Sequence, residues 1–220
     1  MPKLTIQILK REAQKFSQME SSHKEKSLFG VTDGKAVGTY LEHKFKQYLR
    51  GKYEFEEGSS ASGIDFPELQ VDVISTNLLT PYPSSPLKSA HQKIYGMEHS
   101  LIWFLYEKTD DHESKRAKIS IVSAFFLDKN STADFKTTSG IIDILKNEGN
   151  KDDVMAYILD ARLANDEIEA SNFADEILTN PPELGFIFTT SFWRQRAQYL
   201  KTIKQSKNSV IVYQAERWAF

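Results

Sequence analysis

The sequence predicts an α/β fold, a central mixed β-sheet flanked by helices, and three observations carry that expectation. Runs rich in β-branched and aromatic residues at Leu69–Thr76, Ser100–Tyr106 and Lys118–Leu127 read as strands bounded by turn formers. Segments with apolar residues three and four apart precede and follow them and read as helices. The 220 residues are 40% apolar and 26% charged, enough for one sizeable core and unlike a disordered chain.

Each element has its own signal. A helix is expected from Leu4 to Ser21, ending in the polar run Ser21–Lys26. A second runs from Lys35 to Leu49, after the turn Thr32-Asp33-Gly34, with Val37, Leu41, Phe45, Tyr48 and Leu49 on one stripe and Gly51 at its end. Glu42 lies beside that stripe, and periodicity alone reads it as a solvated flank residue. Thr80–Pro86 holds three prolines and cannot be regular structure. A short helix from Leu87 to Tyr95, closed by Gly96, follows it. The polar link Lys108–Lys115 suits a hairpin between the two long strands. Helical patterns then fill Ser139–Asn147, Asp152–Leu163 and Asp166–Leu178, and Pro181-Pro182 stops the last. A strand at Gly185–Thr189, a helix at Ser191–Lys204 and a strand at Ser209–Tyr213 complete the chain. One domain over 1–220 is expected, with N-terminal helices to about 50, a sheet core over about 60–128, a helical region over about 139–180 and a basic strand and helix over about 185–213.

Composition removes several functions. There is no cysteine, so no disulfide scaffold, thiolate metal site or cysteine nucleophile. No run of 18 apolar residues exists and Met1-Pro2-Lys3-Leu4 lacks a signal peptide's apolar core, so a cytoplasmic protein without a membrane partner is expected. The net charge of −2 hides segregation. Arg194, Arg196, Lys201, Lys204 and Lys207 fall in a stretch without an acid, whereas Asp143–Glu183 is strongly acidic.

Phosphate-binding glycine loops, a dinucleotide fingerprint, a nucleophile elbow and a paired-histidine zinc signature are all missing from the sequence. The five histidines share no ligand spacing and read as surface or satisfied side chains. What remains is the segment Gly63–Thr76. Alternation sends Leu69, Val71 and Val73 to one face and Gln70, Asp72, Ile74 and Thr76 to the other. An ionised Asp72 between apolar neighbours is costly unless it is paired or holds a metal. Asp65, seven residues earlier, could converge on the same point, and two carboxylates with water suit a hard cation such as Mg²⁺. Alternatively Asp72 faces solvent from an edge strand and Asp65 is a turn former. Spacing leaves both open.

The run resembles the core of the PD-(D/E)xK nuclease superfamily, in which an Asp precedes a strand carrying (D/E)-x-K. A wider pattern resembles a group of type II restriction endonucleases. Its blocks are Gly38-Thr39-Tyr40-Leu41-Glu42, Gly63-Ile64-Asp65-Phe66-Pro67, Ser84–Ala90, Gln92–Gly96 and Trp193-Arg194-Gln195-Arg196. The resemblance spans about 35–205 and implies a restriction-endonuclease-like core, with the carboxylate strand in the middle of the sheet and the preceding helix packed across it. Asp65 and Asp72 would hold a catalytic Mg²⁺, for which Mn²⁺ would substitute while Ca²⁺ would support binding without cleavage. Glu42 would add an acid from the first core helix. Products would carry 5′ phosphates.

One position departs from the pattern. The superfamily's lysine falls at position 74, which is Ile74 here. That lysine orients the attacking water and stabilises charge on the phosphate, and isoleucine can do neither. Three explanations stand side by side: an inactivated variant, a replacement cation such as Lys88 or Lys93, or a degenerate nuclease that binds without cutting.

Double-stranded DNA is the expected partner. Arg194, Gln195, Arg196, Gln198 and Lys201 crowd the last helix in a mixture suited to bases and phosphates. Ser84, Ser85, Lys88, Gln92 and Lys93 come after the carboxylate strand and form the second candidate surface. A homodimer is expected, since cutting both strands of a palindrome takes two centres related by symmetry. Two other readings are a DNA-binding protein that does not cut and an α/β interaction protein whose carboxylates are structural.

Overall fold

The apolar runs pair into one five-stranded mixed sheet in the computed structural model, which describes residues 1–58, 63–78, 85–187 and 209–216. The chain forms two compact units, one of 1–83, 99–127 and 196–220, the other of 84–98 and 128–195. The sheet belongs to the first. Its strands are β1 (Lys24–Glu25), β2 (Val71–Asn77), β3 (Ser100–Asp111), β4 (Arg116–Leu127) and β5 (Ser209–Gln214). β2 runs parallel to β3, β3 and β4 form an antiparallel hairpin, and β1 and β5 both pair antiparallel with β4. The α/β class read from the sequence is what the chain adopts.

Two capped helices flank the sheet. α1 (Ile6–Ser22) starts where Thr5 Oγ1 accepts from the Ile8 N–H, and α2 (Gly34–Arg50) where Asp33 accepts from the Lys35 N–H. Leu9, Ala13 and Phe16 of α1 and Val37, Leu41, Phe45 and Leu49 of α2 are buried in one core with Val71, Val73, Ile102, Phe104 and Tyr106. Phe45 is fully buried and its ring meets those of Phe16, Phe66 and Phe104. Burying such a ring is worth roughly 1.5–3 kcal/mol. β4 supplies Ala117, Ile119 and Ile121, then Ala124 and Phe126, to the same core. That change of parity is absorbed by a bulge, because Tyr106 pairs with Ile121 while Leu105 pairs with Ser123.

α2 approaches β2 closely. A Cβ at Gly38 would lie 3.0 Å from Ser75 Oγ, so the helix crosses the strand there with little room for a side chain. Two buried acids, which the sequence did not single out, tie α1 to its surroundings. Glu20 accepts from Tyr40 Oη at 2.9 Å. Glu12 accepts from Lys15 (3.0 Å), Tyr48 (2.9 Å), Lys52 (3.2 Å) and Tyr53 (3.1 Å). Burial alone would push the Glu12 carboxyl up, but these donors outweigh it and hold it down at about 2.

Several boundaries differ from expectation for local reasons. The carboxylate strand starts at Val71, because Pro67–Leu69 form a 3₁₀ turn and Gln70 adopts φ +52°. Leu69 therefore packs against the core from the turn, not from the strand. Among the described residues β2 has β3 as its one strand neighbour, so it lies at the sheet's edge, not in the middle. Its outer edge is closed by its own chain, as the Phe66 and Val71 backbones exchange hydrogen bonds of 2.9 and 3.2 Å. The hairpin strands extend to Asp111 and from Arg116, leaving 112–115 as the turn with Lys115 at φ +50°.

The second unit is helical. α3 (Ala90–Tyr95), α4 (Phe135–Lys146), α5 (Lys151–Asp160) and α6 (Glu167–Thr179) surround Ile94, Ile141, Val154, Ile158, Ala174 and Ile177. α3 begins later than expected because Ser89 caps it, accepting from the Gln92 N–H. α4 begins earlier because Asp134 accepts from the Thr137 N–H. α5 ends before Leu163 because Arg162 turns at φ +53° and the Leu163 N–H returns to the Ile158 carbonyl. Ile187, within the expected strand 185–189, makes one parallel bridge to Asp134. The expected helix 191–204 lies outside the described residues.

Candidate active site

The turn between Asp65 and Asp72 folds the chain back on itself. Pro67 starts the 3₁₀ turn, Gln70 reverses the direction and the Phe66–Val71 bridge locks it. Asp65 is thereby carried alongside the outer edge of β2, where its Oδ2 accepts from the Val73 N–H at 3.1 Å. Its own N–H donates to Asp72 Oδ1 at 3.3 Å. The two carboxylates, seven residues apart, meet.

α2 adds to them from above. The close crossing at Gly38 and the buried Phe45 and Leu49 turn Glu42 and Lys46, one helical turn apart, toward Asp65. Lys46 Nζ donates to Asp65 Oδ1 at 2.6 Å and to Glu42 Oε1 at 3.0 Å. The Lys46 and Asp65 side chains are only 10% and 9% exposed. Glu42, Lys46, Asp65 and Asp72 all line one cavity of about 760 Å³, with His43, Gln47, Arg50 and Glu57 also on its wall. Arg50 and Glu57 are forked together through both guanidinium donors.

The electrostatics arise from this crowding. Burial, then the nearby charge of Asp65, pushes the Asp72 carboxyl up to about 7. Burial also raises Glu42, with Asp65 adding to it against the opposing bond from Lys46. Burial would lower Lys46, but its bonds to Asp65 and Glu42 win and raise it. Glu42 and Asp65 thus share one ammonium, while Asp72 stands beside Asp65 without it. The donor set is oxygen only, and its excess negative charge fits a hard divalent cation held by one or two carboxylates and water. Among the described residues no group of three His, Asp or Glu side chains is arranged to hold a metal by itself.

The remaining candidates fall elsewhere. Ile74 sits two residues beyond Asp72 on the same face of β2, half-buried and opposite Trp103 in register, outside the cavity wall. Ser85, Lys88, Gln92 and Lys93 belong to the second unit. Ser85 and Lys88 are exposed, Lys93 is half-buried, and the Gln92 amide oxygen accepts from the Lys88 N–H at 2.7 Å. Lys88 therefore precedes α3 instead of riding on it. Ser84, Arg194, Gln195, Arg196, Gln198 and Lys201 lie outside the described residues. The sequence reading missed Lys46, although its spacing from Glu42 was a usable signal.

A family profile described as type II restriction enzyme NspV matches residues 3–213. The chain belongs to the NspV family of type II restriction enzymes. It is 51% identical over 203 residues to the type II restriction enzyme NspV of Nostoc sp. (strain ATCC 29411 / PCC 7524), covering 92% of both chains. No solved structure gives a significant match. The expected enzyme class is borne out at the level of this family, whose members are site-specific deoxyribonucleases. Among the described residues no helix is long and apolar enough to cross a membrane.

Proposed function

We propose that the chain is a Mg²⁺-dependent endonuclease that cleaves double-stranded DNA at a specific sequence and leaves 5′ phosphates. The single observation carrying this reading is the meeting of Asp65 and Asp72 on one cavity wall, beneath Glu42. Asp65 and Asp72 would hold the cation, with Glu42 completing the acidic wall. When bound, Mg²⁺ lowers the pKa of water, polarises a phosphoryl oxygen and offsets charge on the leaving 3′ oxygen. The Val73 N–H orients the Asp65 carboxylate, and the Asp65 N–H orients that of Asp72. Such backbone bonds keep both groups aimed while substrate enters.

Specificity is assigned to the basic stretch Arg194–Lys201 and to the Ser84–Lys93 block, with Lys88 and Lys93 on phosphates. A homodimer would bring one centre to each strand of a palindrome. Digestion of mixed-sequence plasmid and phage DNA with Mg²⁺ tests the activity, with Asp72→Asn as control. Discrete fragments from the wild type alone are expected. No cleavage by the wild type, with duplex binding retained in Ca²⁺, would instead favour a non-cutting DNA-binding protein, for which Ile74 is the one argument.

A further inference from the structure

The proposed hydrolysis leaves an electrostatic requirement that three acids cannot meet. The water oxygen bonds to phosphorus, the P–O3′ bond breaks, and the 3′ oxygen leaves with the electron pair and takes up a proton. The water loses one proton, so one water is consumed per phosphodiester. Negative charge on the phosphoryl oxygens calls for a fixed cationic donor nearby. β2 carries Ile74 instead, off the cavity wall.

We propose that Lys46, reaching in from α2, supplies the cationic group that β2 lacks, and is a catalytic residue of the cleavage. This inference rests on the nuclease reading above. Arg50 also lines the cavity, but its guanidinium is forked onto Glu57. The Lys46 ammonium is bonded at 2.6 Å to Asp65, the carboxylate on which the site is built. An exposed ion pair of this kind would contribute little and hold no fixed place. Here both side chains are about nine-tenths withdrawn from water, and the buried neighbours Phe45 and Leu49 prevent the helix from turning Lys46 away. The long lysine stem lets Nζ swing from Asp65 to a phosphoryl oxygen or the attacking water with no backbone movement. Its charge persists throughout, so it acts by donating hydrogen bonds.

The alternative is that Lys46 merely neutralises the acids until a cation arrives, and a set of variants separates the two. Wild type, Lys46→Met, Lys46→Gln and Ile74→Lys are compared in three measurements. These are cleavage of mixed-sequence DNA with Mg²⁺, duplex mobility shift in Ca²⁺, and calorimetric titration with Mn²⁺. The expected result is a loss of cleavage of at least 100-fold in Lys46→Met and Lys46→Gln. Duplex binding should stay within threefold and Mn²⁺ affinity should be unchanged or tighter, since a competing cation has gone. Lys46→Gln keeps a hydrogen-bond donor toward Asp65 and guards against a folding defect in the methionine variant. Cleavage within threefold of wild type in both variants overturns the proposal and leaves the nuclease reading standing. A loss of Mn²⁺ affinity of tenfold or more alongside lost cleavage also overturns it, because Lys46 would then act only by arranging the carboxylates. An inert wild type with an active Ile74→Lys variant overturns the lysine assignment and leaves the chain as a nuclease fold that binds without cutting. If none of these proteins cuts, the nuclease reading itself fails.

Discussion

Asp65 and Asp72 hold one another in place, the Asp65 N–H bonding to Asp72 Oδ1 at 3.3 Å while Asp65 Oδ2 takes the Val73 N–H at 3.1 Å. In the proposed metal site, this closeness would favour cation binding over the stability of the cation-free fold. The buried Asp65 and the half-buried Asp72 repel, and the Asp72 carboxyl is pushed up to about 7 by desolvation and by Asp65. Asp72→Asn removes that repulsion and keeps an acceptor for the Asp65 N–H. Its unfolding midpoint in urea, without divalent cations, should equal or exceed that of the wild type.

The turn that brings the two acids together depends on Gln70 at φ +52°. A β-branched residue is strained there, by about 1–2 kcal/mol. Gln70 already bears the Cβ share of that cost, so Gln70→Val should lower stability by only a fraction of it in equilibrium denaturation and weaken Mn²⁺ binding with it, because Asp65 and Asp72 sit on either side of the turn. Gln70→Gly should bind Mn²⁺ as the wild type does.

Glu12 gives the fold an acid-sensitive joint. Its folded carboxyl lies at about 2, below the ordinary value of 4.5, so the unfolded chain takes up a proton more readily between those values. The stabilisation is complete above about pH 4.5 and is lost as pH falls toward 2. Glu12→Gln should cost about 1–3 kcal/mol near neutral pH, since Lys15 and Lys52 lose their buried partner. The difference between the two proteins should shrink over that acid window in thermal melts.

Lys88 is exposed, just ahead of α3. As a phosphate contact, Lys88→Ala should weaken duplex binding about equally for all sequences and reduce the slope of log affinity against log salt by about one. Mobility shifts across a salt series measure both effects.

Much of this architecture was legible because alternation and helical spacing are local. Leu41, Phe45 and Leu49 announce the buried stripe of α2, and Val71, Asp72 and Val73 announce a strand with one misplaced acid. The convergence of Asp65 on Asp72 was written more weakly, since spacing left it open and the family resemblance carried it. What depended on the third dimension was lost. Lys46 sits between two buried residues of α2 on a helix that reads as amphipathic, and only the descent of the helix onto β2 at Gly38 converts it from a flank cation into a cavity wall. Glu12 and Glu20 escaped for the same reason, their partners arriving from α2 and beyond. The edge position of β2 was one of two readings that spacing left open, and the family resemblance pointed to the other; its outer side is closed by its own preceding turn.

Calorimetric titration of Mn²⁺ into the wild type, Asp65→Asn and Asp72→Asn tests the centre most directly. The wild type should bind the ion with an affinity that falls at least tenfold in each variant, while circular dichroism stays the same. Equal affinity in all three proteins would contradict the assignment of these carboxylates to a metal-dependent cleavage centre.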